Sequence, residues 1–261
     1  MRFSANIGFL YAELALPERI RAAKRDGFDA VECHFPYTVP VAEMRGALEE
    51  TGLTMLGLNT RPGDVAAGDF GLAALAARVD ETRAAVREAV EYGAAMGAGA
   101  VHVMAGKTDV GAAAEAAFRA TLDEACDLAG AKGMGVLIEP INTRDVPGYH
   151  LHRLEHAGEI VAALGHGNLK IMFDCYHLQI MGGDLIRRFE AVRSDVGHVQ
   201  IAAVPDRGEP DAGELDYINI LGAFAAAGWD RPVGAEYKPR LGQTSAGLGW
   251  LNRFRAALGQ S

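Results

Sequence analysis

One arrangement recurs along the chain and leaves few folds open to it: a helical stretch closes on a glycine, and a short apolar run follows. Gly27 precedes Phe28–Glu32, Gly52 precedes Leu53–Asn59, Gly97 precedes Ala100–Met104, Gly133 precedes Met134–Glu139, Gly167 precedes Leu169–Asp174, and Gly228 comes shortly before Val233–Tyr237. Glycine has no Cβ and takes the left-handed conformation that ends many helices. Runs such as VLIE, IMFD and VHVM are apolar without clean alternation, the pattern of parallel strands covered on both faces.

The stretches between them read as helices. In Leu72–Met96, Leu72, Leu75, Val79, Val86 and Val90 recur at helical spacing, and charged residues fill most of the opposite face. Ala112–Lys132, Leu151–Leu164, Leu185–Val192, Tyr217–Ala227 and Ala246–Leu258 are similar, and Pro17 opens Glu18–Arg25 at a position where a first turn tolerates proline. The predicted strands are Phe3–Ile7, Ala30–Glu32, Thr54–Asn59, Ala100–Met104, Gly135–Glu139, Lys170–Asp174, Gly197–Ile201 and Val233–Tyr237. Strands that alternate with helices imply a parallel sheet, and this number of units in 261 residues is the size of a (β/α)8 TIM barrel. An open doubly wound sheet is the alternative. No Pro- or Ser-rich linker divides residues 1–261, so a single α/β domain is expected.

The 34 Asp and Glu outnumber the 25 Lys and Arg for a net charge of −9, with no basic run. That argues against nucleic acid or an anionic membrane as partner, because both are recognised by clustered positive charge. Cys33, Cys126 and Cys175 form no CxxC, which fits a reducing cytoplasm better than a disulfide framework. Cys33 and Cys175 read as small buried hydrophobes. The start, MRFSANIGFLYAEL, reads as a first structural element and not as a signal peptide. No apolar stretch reaches the length of a membrane span.

In a barrel the active site lies at the C-terminal ends of the strands. Four predicted strands end on oxygen-bearing side chains: Glu139, Asp174, Gln200 and Glu236. They come from consecutive strands, which are neighbours in a closed barrel, so three carboxylates and an amide converge. Like charges this close raise one another's pKa. A divalent cation resolves the conflict, and hard oxygen ligands suit Mg²⁺ or Mn²⁺. His177, three residues past Asp174, lies over the mouth and could ligate metal, bond a substrate hydroxyl or shuttle a proton. His198 and His102 read as interior residues that hold neighbours. Asn6, Glu32, His34 and Asn59 are further strand-end polar groups. An anionic substrate needs a cation nearby. Arg207, in AAVPDRGEP, is the first choice and Lys107 the second, with Arg61 and Lys238 also on mouth loops. There is no GxSxG, P-loop or strand-following GxGxxG.

The segments NIGFLYAEL, GFDAVECHFPY, IEPINTRDVPGYHL, MFDCYHLQIMGGDL, GHVQIAAVPDRGEPDAGELDY and VGAEYKPR resemble the hydroxypyruvate isomerase family, within the xylose isomerase-like barrels. They span residues 6 to about 240. The resemblance implies that Glu139, Asp174, Gln200 and Glu236 hold the metal, that Glu139 and Glu236 also donate and accept the proton, and that His177 and Arg207 touch substrate. In related ketose epimerases the third ligand is usually His, and here it is Gln200. The implied reaction interconverts hydroxypyruvate and tartronate semialdehyde through an enediolate, with a small 2-oxo or hydroxy acid as substrate and no redox cofactor. Relatives acting on 2-oxo-tetronates, and ketose 3-epimerases or inosose-type dehydratases on the same site, are the alternatives. DNA-repair endonucleases also use this barrel, but they need a His-rich multi-zinc site and a basic surface. The sequence does not fix the oligomeric state, and a homo-oligomer is compatible with all of these readings.

Overall fold

The computed structural model describes residues 1–109 and 111–259. Its strand segments are β1 (Phe3–Asn6), β2 (Ala30–Glu32), β3 (Thr54–Met55), β4 (Gly57–Asn59), β5 (Ala100–His102), β6 (Gly135–Ile138), β7 (Leu169–Asp174), β8 (Val196–Ile201) and β9 (Val233–Ala235). Every pairing between them is parallel, in the order β3-β2-β1-β9-β8-β7-β6-β5-β4. The two edge segments are halves of one predicted strand, broken at Leu56. The Leu56 N–H donates to Val31 O at 2.8 Å, and the Cys33 N–H donates to Gly57 O at 3.1 Å. The ring therefore closes through the third strand into a barrel, as the alternating pattern requires, and the open sheet is excluded.

The helices are α1 (Leu16–Arg25), α2 (Val41–Thr51), α3 (Val79–Met96), α4 (Ala112–Gly130), α5 (Leu154–Leu164), α6 (Cys175–Met181), α7 (Leu185–Val192), α8 (Tyr217–Ala226) and α9 (Gly249–Ala257). Two sequence expectations are corrected, and two helices, α2 and α6, are additional to those delimited in the sequence. The stretch from Leu72 to Leu75 is not helical: the Ala73 and Ala74 N–H groups donate to Met104 O and Ala105 O, so this buried segment continues the β5 edge before α3 starts. The cap of α5 is Gly165, at φ +69°, and not Gly167. A short helix, α6, follows β7 directly and is started by Asp174, whose Oδ1 accepts the Tyr176 N–H at 2.8 Å.

The apolar faces of the helices meet the outer face of the barrel. Phe189 of α7 stacks on Phe224 of α8 at 3.9 Å, both edge-on to Phe173 of β7. Inside the barrel, glycines at strand starts (Gly57, Gly135, Gly197) border a cavity of about 290 Å³ whose upper end meets His102, His198 and Gln200. Among the described residues no helix is long and apolar enough to cross a membrane.

Candidate active site

Glu139 follows β6, Asp174 ends β7, Gln200 lies near the end of β8 and Glu236 follows β9. Asp174 and Gln200 are register partners, and the Glu236 N–H donates to Ile201 O. Parallel register thus brings all four to one side of the mouth, and each is at least nine-tenths buried. His177 Nε2 is 3.5 Å from both Glu139 Oε1 and Asp174 Oδ2. The Arg207 guanidinium contacts Glu236 Oε2 and lies 3.4 Å from Asp174 Oδ2.

The two glutamates sit in opposed environments. Burial first, then the charges of Glu236 and Asp174, raise Glu139 well above the ordinary carboxylate range. Glu236 is buried too, but Arg207 and His34 outweigh that and hold it at about 2. Its Oε1 accepts from Asn6 Nδ2 and contacts His34 Nε2, each at 2.9 Å. Asp174 is raised to about 7, burial outweighing Arg207. Glu139 Oε1 and Gln200 Oε1 are buried and have no hydrogen-bond partner. Unpartnered buried acceptors are costly, and two of them among three carboxylates form an all-oxygen donor set that fits a hard divalent cation.

His177 is held differently. Its Nδ1 faces the Asn142 N–H at 3.2 Å and Asn142 Nδ2 at 2.6 Å. Asn142 Oδ1 accepts the Asp145 N–H, which fixes that amide as the donor to the ring. Burial, with Arg207 next, pushes the imidazole well below its usual pKa, so it is neutral. A neutral ring with Nδ1 accepting carries its proton on Nε2. His177 therefore presents a donor to the carboxylates and the substrate space, which disfavours it as a ligand. Asn142, the source of this tautomer, was not singled out from the sequence. Neither were Phe9 and Tyr176, whose rings hold the Arg207 guanidinium at 5.2 and 4.9 Å.

Arg207 has φ +55°, uncommon for a residue with a Cβ. The conformation is held by its N–H donating to Ala203 O and its carbonyl accepting the Lys238 N–H. Arg240 ties the following turn down through Asp206 and the buried Glu209. Lys107 is placed elsewhere: its ammonium lies beside the turn at Gly68 and Asp69. Arg61 pairs with Glu88, and Lys238 lies over the Phe9 ring. His102 lies 3.7 Å from Glu139 Oε2, and burial lowers its pKa to about 4. A second group, Glu115, His150 and His156, is a hydrogen-bonded clasp: Glu115 Oε2 is 3.0 Å from each Nε2, and Arg119 meets its other oxygen. It pins the loop before α5 to α4.

With this geometry in view, the comparisons with known proteins decide the family. The sequence model of the xylose isomerase-like TIM barrel family matches residues 20–254. The chain belongs to that family. It is 45% identical to a 2-oxo-tetronate isomerase of Cupriavidus necator over 97% of this chain and 98% of that one. It is 36% identical to the hydroxypyruvate isomerase of Escherichia coli over 98% of this chain and all of that one. A crystal structure from Brucella melitensis described as an AP endonuclease of family 2 superposes with a TM-score of 0.92 at 38% identity, covering 97% of this chain and 98% of that one. For a xylose isomerase-like barrel, a site at the C-terminal strand ends is the expected place.

Proposed function

We propose that this chain isomerises short hydroxy-oxo acids, hydroxypyruvate to tartronate semialdehyde in the simplest case, with Mg²⁺ or Mn²⁺ held by Glu139, Asp174, Gln200 and Glu236. The observation that carries the reading is the convergence of Glu139, Asp174, Gln200 and Glu236 on one side of the mouth, all buried, with Glu139 Oε1 and Gln200 Oε1 unpartnered. Glu139 and Glu236 enter from β6 and β9, on either side of that space, and serve as its proton-transfer groups. When bound, the cation supplies Lewis-acid stabilisation of the negative charge that develops on the substrate oxygens.

The chain's own residues do the rest. One glutamate, ionised, removes the proton from C3 and becomes the acid; C2 is then protonated by that same carboxyl or by the other glutamate once it has taken a proton from solvent, and the reverse direction exchanges the roles. The electron pair of the broken C–H bond forms the C=C bond of the enediolate while the C2 carbonyl pair moves onto O2; protonation at C2, with the C3 hydroxyl proton passing to O2, leaves the aldehyde at C3, so the reaction balances without an oxidant. His177 donates its Nε2–H to a substrate oxygen. Arg207, stacked between Phe9 and Tyr176, binds the substrate carboxylate, a role for which it is better placed than Lys107. The buried thiols of Cys33, Cys126 and Cys175 suit a cytoplasmic enzyme, and we read the chain as one domain.

A second reading, 2-oxo-tetronate as substrate, is favoured by the 45% identity to the Cupriavidus necator enzyme. That acid carries one more CH₂OH on the carbon that loses its proton, and the chemistry is otherwise the same. An endonuclease reading is disfavoured by the net charge of −9. The test is a panel of hydroxypyruvate, 2-oxo-tetronate and neutral ketoses with added Mg²⁺ or Mn²⁺, followed by solvent deuterium entering substrate carbon. Glu139→Gln and Glu236→Gln should each lower kcat by about 10²–10⁴-fold. A rate within tenfold of wild type removes that residue from the pair.

A further inference from the structure

We infer that Glu32 is a positioning residue that fixes which end of the Gln200 amide faces the cation site; this rests on the metal-dependent reading above. A carboxylate presents oxygen whichever way it turns, but an amide has a wrong end, because an NH₂ directed at a cation repels it. Gln200 is the one amide in the proposed ligand set. Something must therefore hold its orientation, and the structure contains such a device.

The carboxylate of Glu32, at the end of β2, reaches across the barrel interior to β8. Its Oε2 accepts from Gln200 Nε2 at 3.3 Å and lies 2.6 Å from His198 Nε2. All three residues are at most 5% exposed. A carboxylate only accepts, so the group that meets Glu32 must be the NH₂, and Gln200 Oε1 is left buried and unpartnered as the free end. Strand β9 leaves the space for this arrangement: a Cβ on Gly234 would come within 2.1 Å of Glu32 Oε1 and 3.1 Å of Gln200 Cγ. His198, two residues before Gln200 on the same side of β8, places its Nε2 against the same Glu32 oxygen. The three side chains form one buried cluster in which Glu32 Oε2 meets both His198 and Gln200.

The experiment is Mn²⁺ calorimetry on the metal-free protein, arranged as a double-mutant cycle. Glu32→Ala should weaken Mn²⁺ binding by about 10–100-fold, the usual cost of losing a partner that orients a ligand. In the Gln200→Ala background the same change should cost less than about threefold, because no amide remains to orient. Glu32→Gln removes the charge but keeps an acceptor for Gln200 Nε2, and should bind within about threefold of wild type. Should Glu32→Ala leave His198 unpaired and the chain unfolded, Glu32→Ala with His198→Ala removes both buried partners together and should show the same loss of affinity. Equal losses with and without Gln200, or a Glu32→Gln loss as large as that of Glu32→Ala, overturn the inference, since either marks a general charge or packing effect. Unchanged affinity in a folded Glu32→Ala protein overturns it alone. A wild type that binds no Mn²⁺ overturns the functional reading and this inference with it.

Discussion

Loading this site with a divalent cation should expel protons, and their number follows from the structure. Ligand carboxyls must be ionised to coordinate. Glu139 is raised well above the ordinary range, so it is largely protonated near neutral pH and contributes about one proton. Asp174, at about 7, contributes roughly half of another at pH 7. Glu236, at about 2, has none to give. The groups titrate together, so the count of about 1.5 belongs to the cluster and not to either residue. Affinity should then fall by about 10–30-fold for each pH unit lost near neutrality and level off above the raised values. Mn²⁺ calorimetry in two buffers of different ionisation heat measures the count directly, as the slope of observed enthalpy against buffer enthalpy. Glu139→Gln should lower the slope by about one proton while the other ligands still bind. A wild-type slope of zero, or one unmoved by Glu139→Gln, would refute the reasoning, because it would mean that the buried carboxyls are already ionised in the metal-free protein.

Three further outcomes follow from named contacts. A carboxyl raised in the folded chain keeps its proton where the unfolded chain has lost it, so it destabilises the fold as pH rises from the unfolded value of 4.5 through the folded one. Metal-free Glu139→Gln should therefore melt above wild type near pH 8, with the gap closing near pH 4.5; scanning calorimetry showing equal midpoints throughout removes the strain at Glu139. Arg207→Ala should lower kcat/KM for hydroxypyruvate by about 10²-fold more than it lowers any turnover of a neutral ketose, which loses only the pairing of Arg207 with Glu236 and Asp174. Equal losses on both substrates would assign Arg207 to the cluster and not to the substrate carboxylate. Phe224→Ala deletes a fully buried ring stacked on Phe189 and should cost about 3–5 kcal/mol in urea unfolding; a cost below 1 kcal/mol would mean that α7 and α8 collapse onto the space.

The parts of this protein legible in the sequence are those set by local periodicity. A glycine after most helices and an apolar run after each such glycine locate the strands to within a residue or two, and parallel register then carries Glu139, Asp174, Gln200 and Glu236 to the same end. The misreadings come from contacts the local pattern does not contain. Leu72 and Leu75 have helical spacing, but the backbone between them bonds to Met104 and Ala105, some 30 residues away, and that pairing overrides propensity. Gly165 and Gly167 are equally good cap candidates by type, and only the folded chain shows that Gly165 takes the left-handed position.

The same distinction separates the groups that touch a ligand from those that set their state. A strand-end carboxylate announces itself, but whether it is charged depends on which cation the loops bring to it. Arg207 and Lys107 are alike in sequence, both basic and both just past a strand. What separates them is a left-handed backbone turn at Arg207, held by the Lys238 N–H, which swings one guanidinium onto Glu236 and Asp174. Asn142 decides the His177 tautomer across 35 residues, and Glu32 reaches Gln200 across 168. Each of these partners is an ordinary polar residue whose role exists only once the barrel has closed. Chemistry at this site is thus specified twice: the ligands by strand period, which a sequence displays, and their protonation and orientation by long-range closure, which only the folded chain supplies.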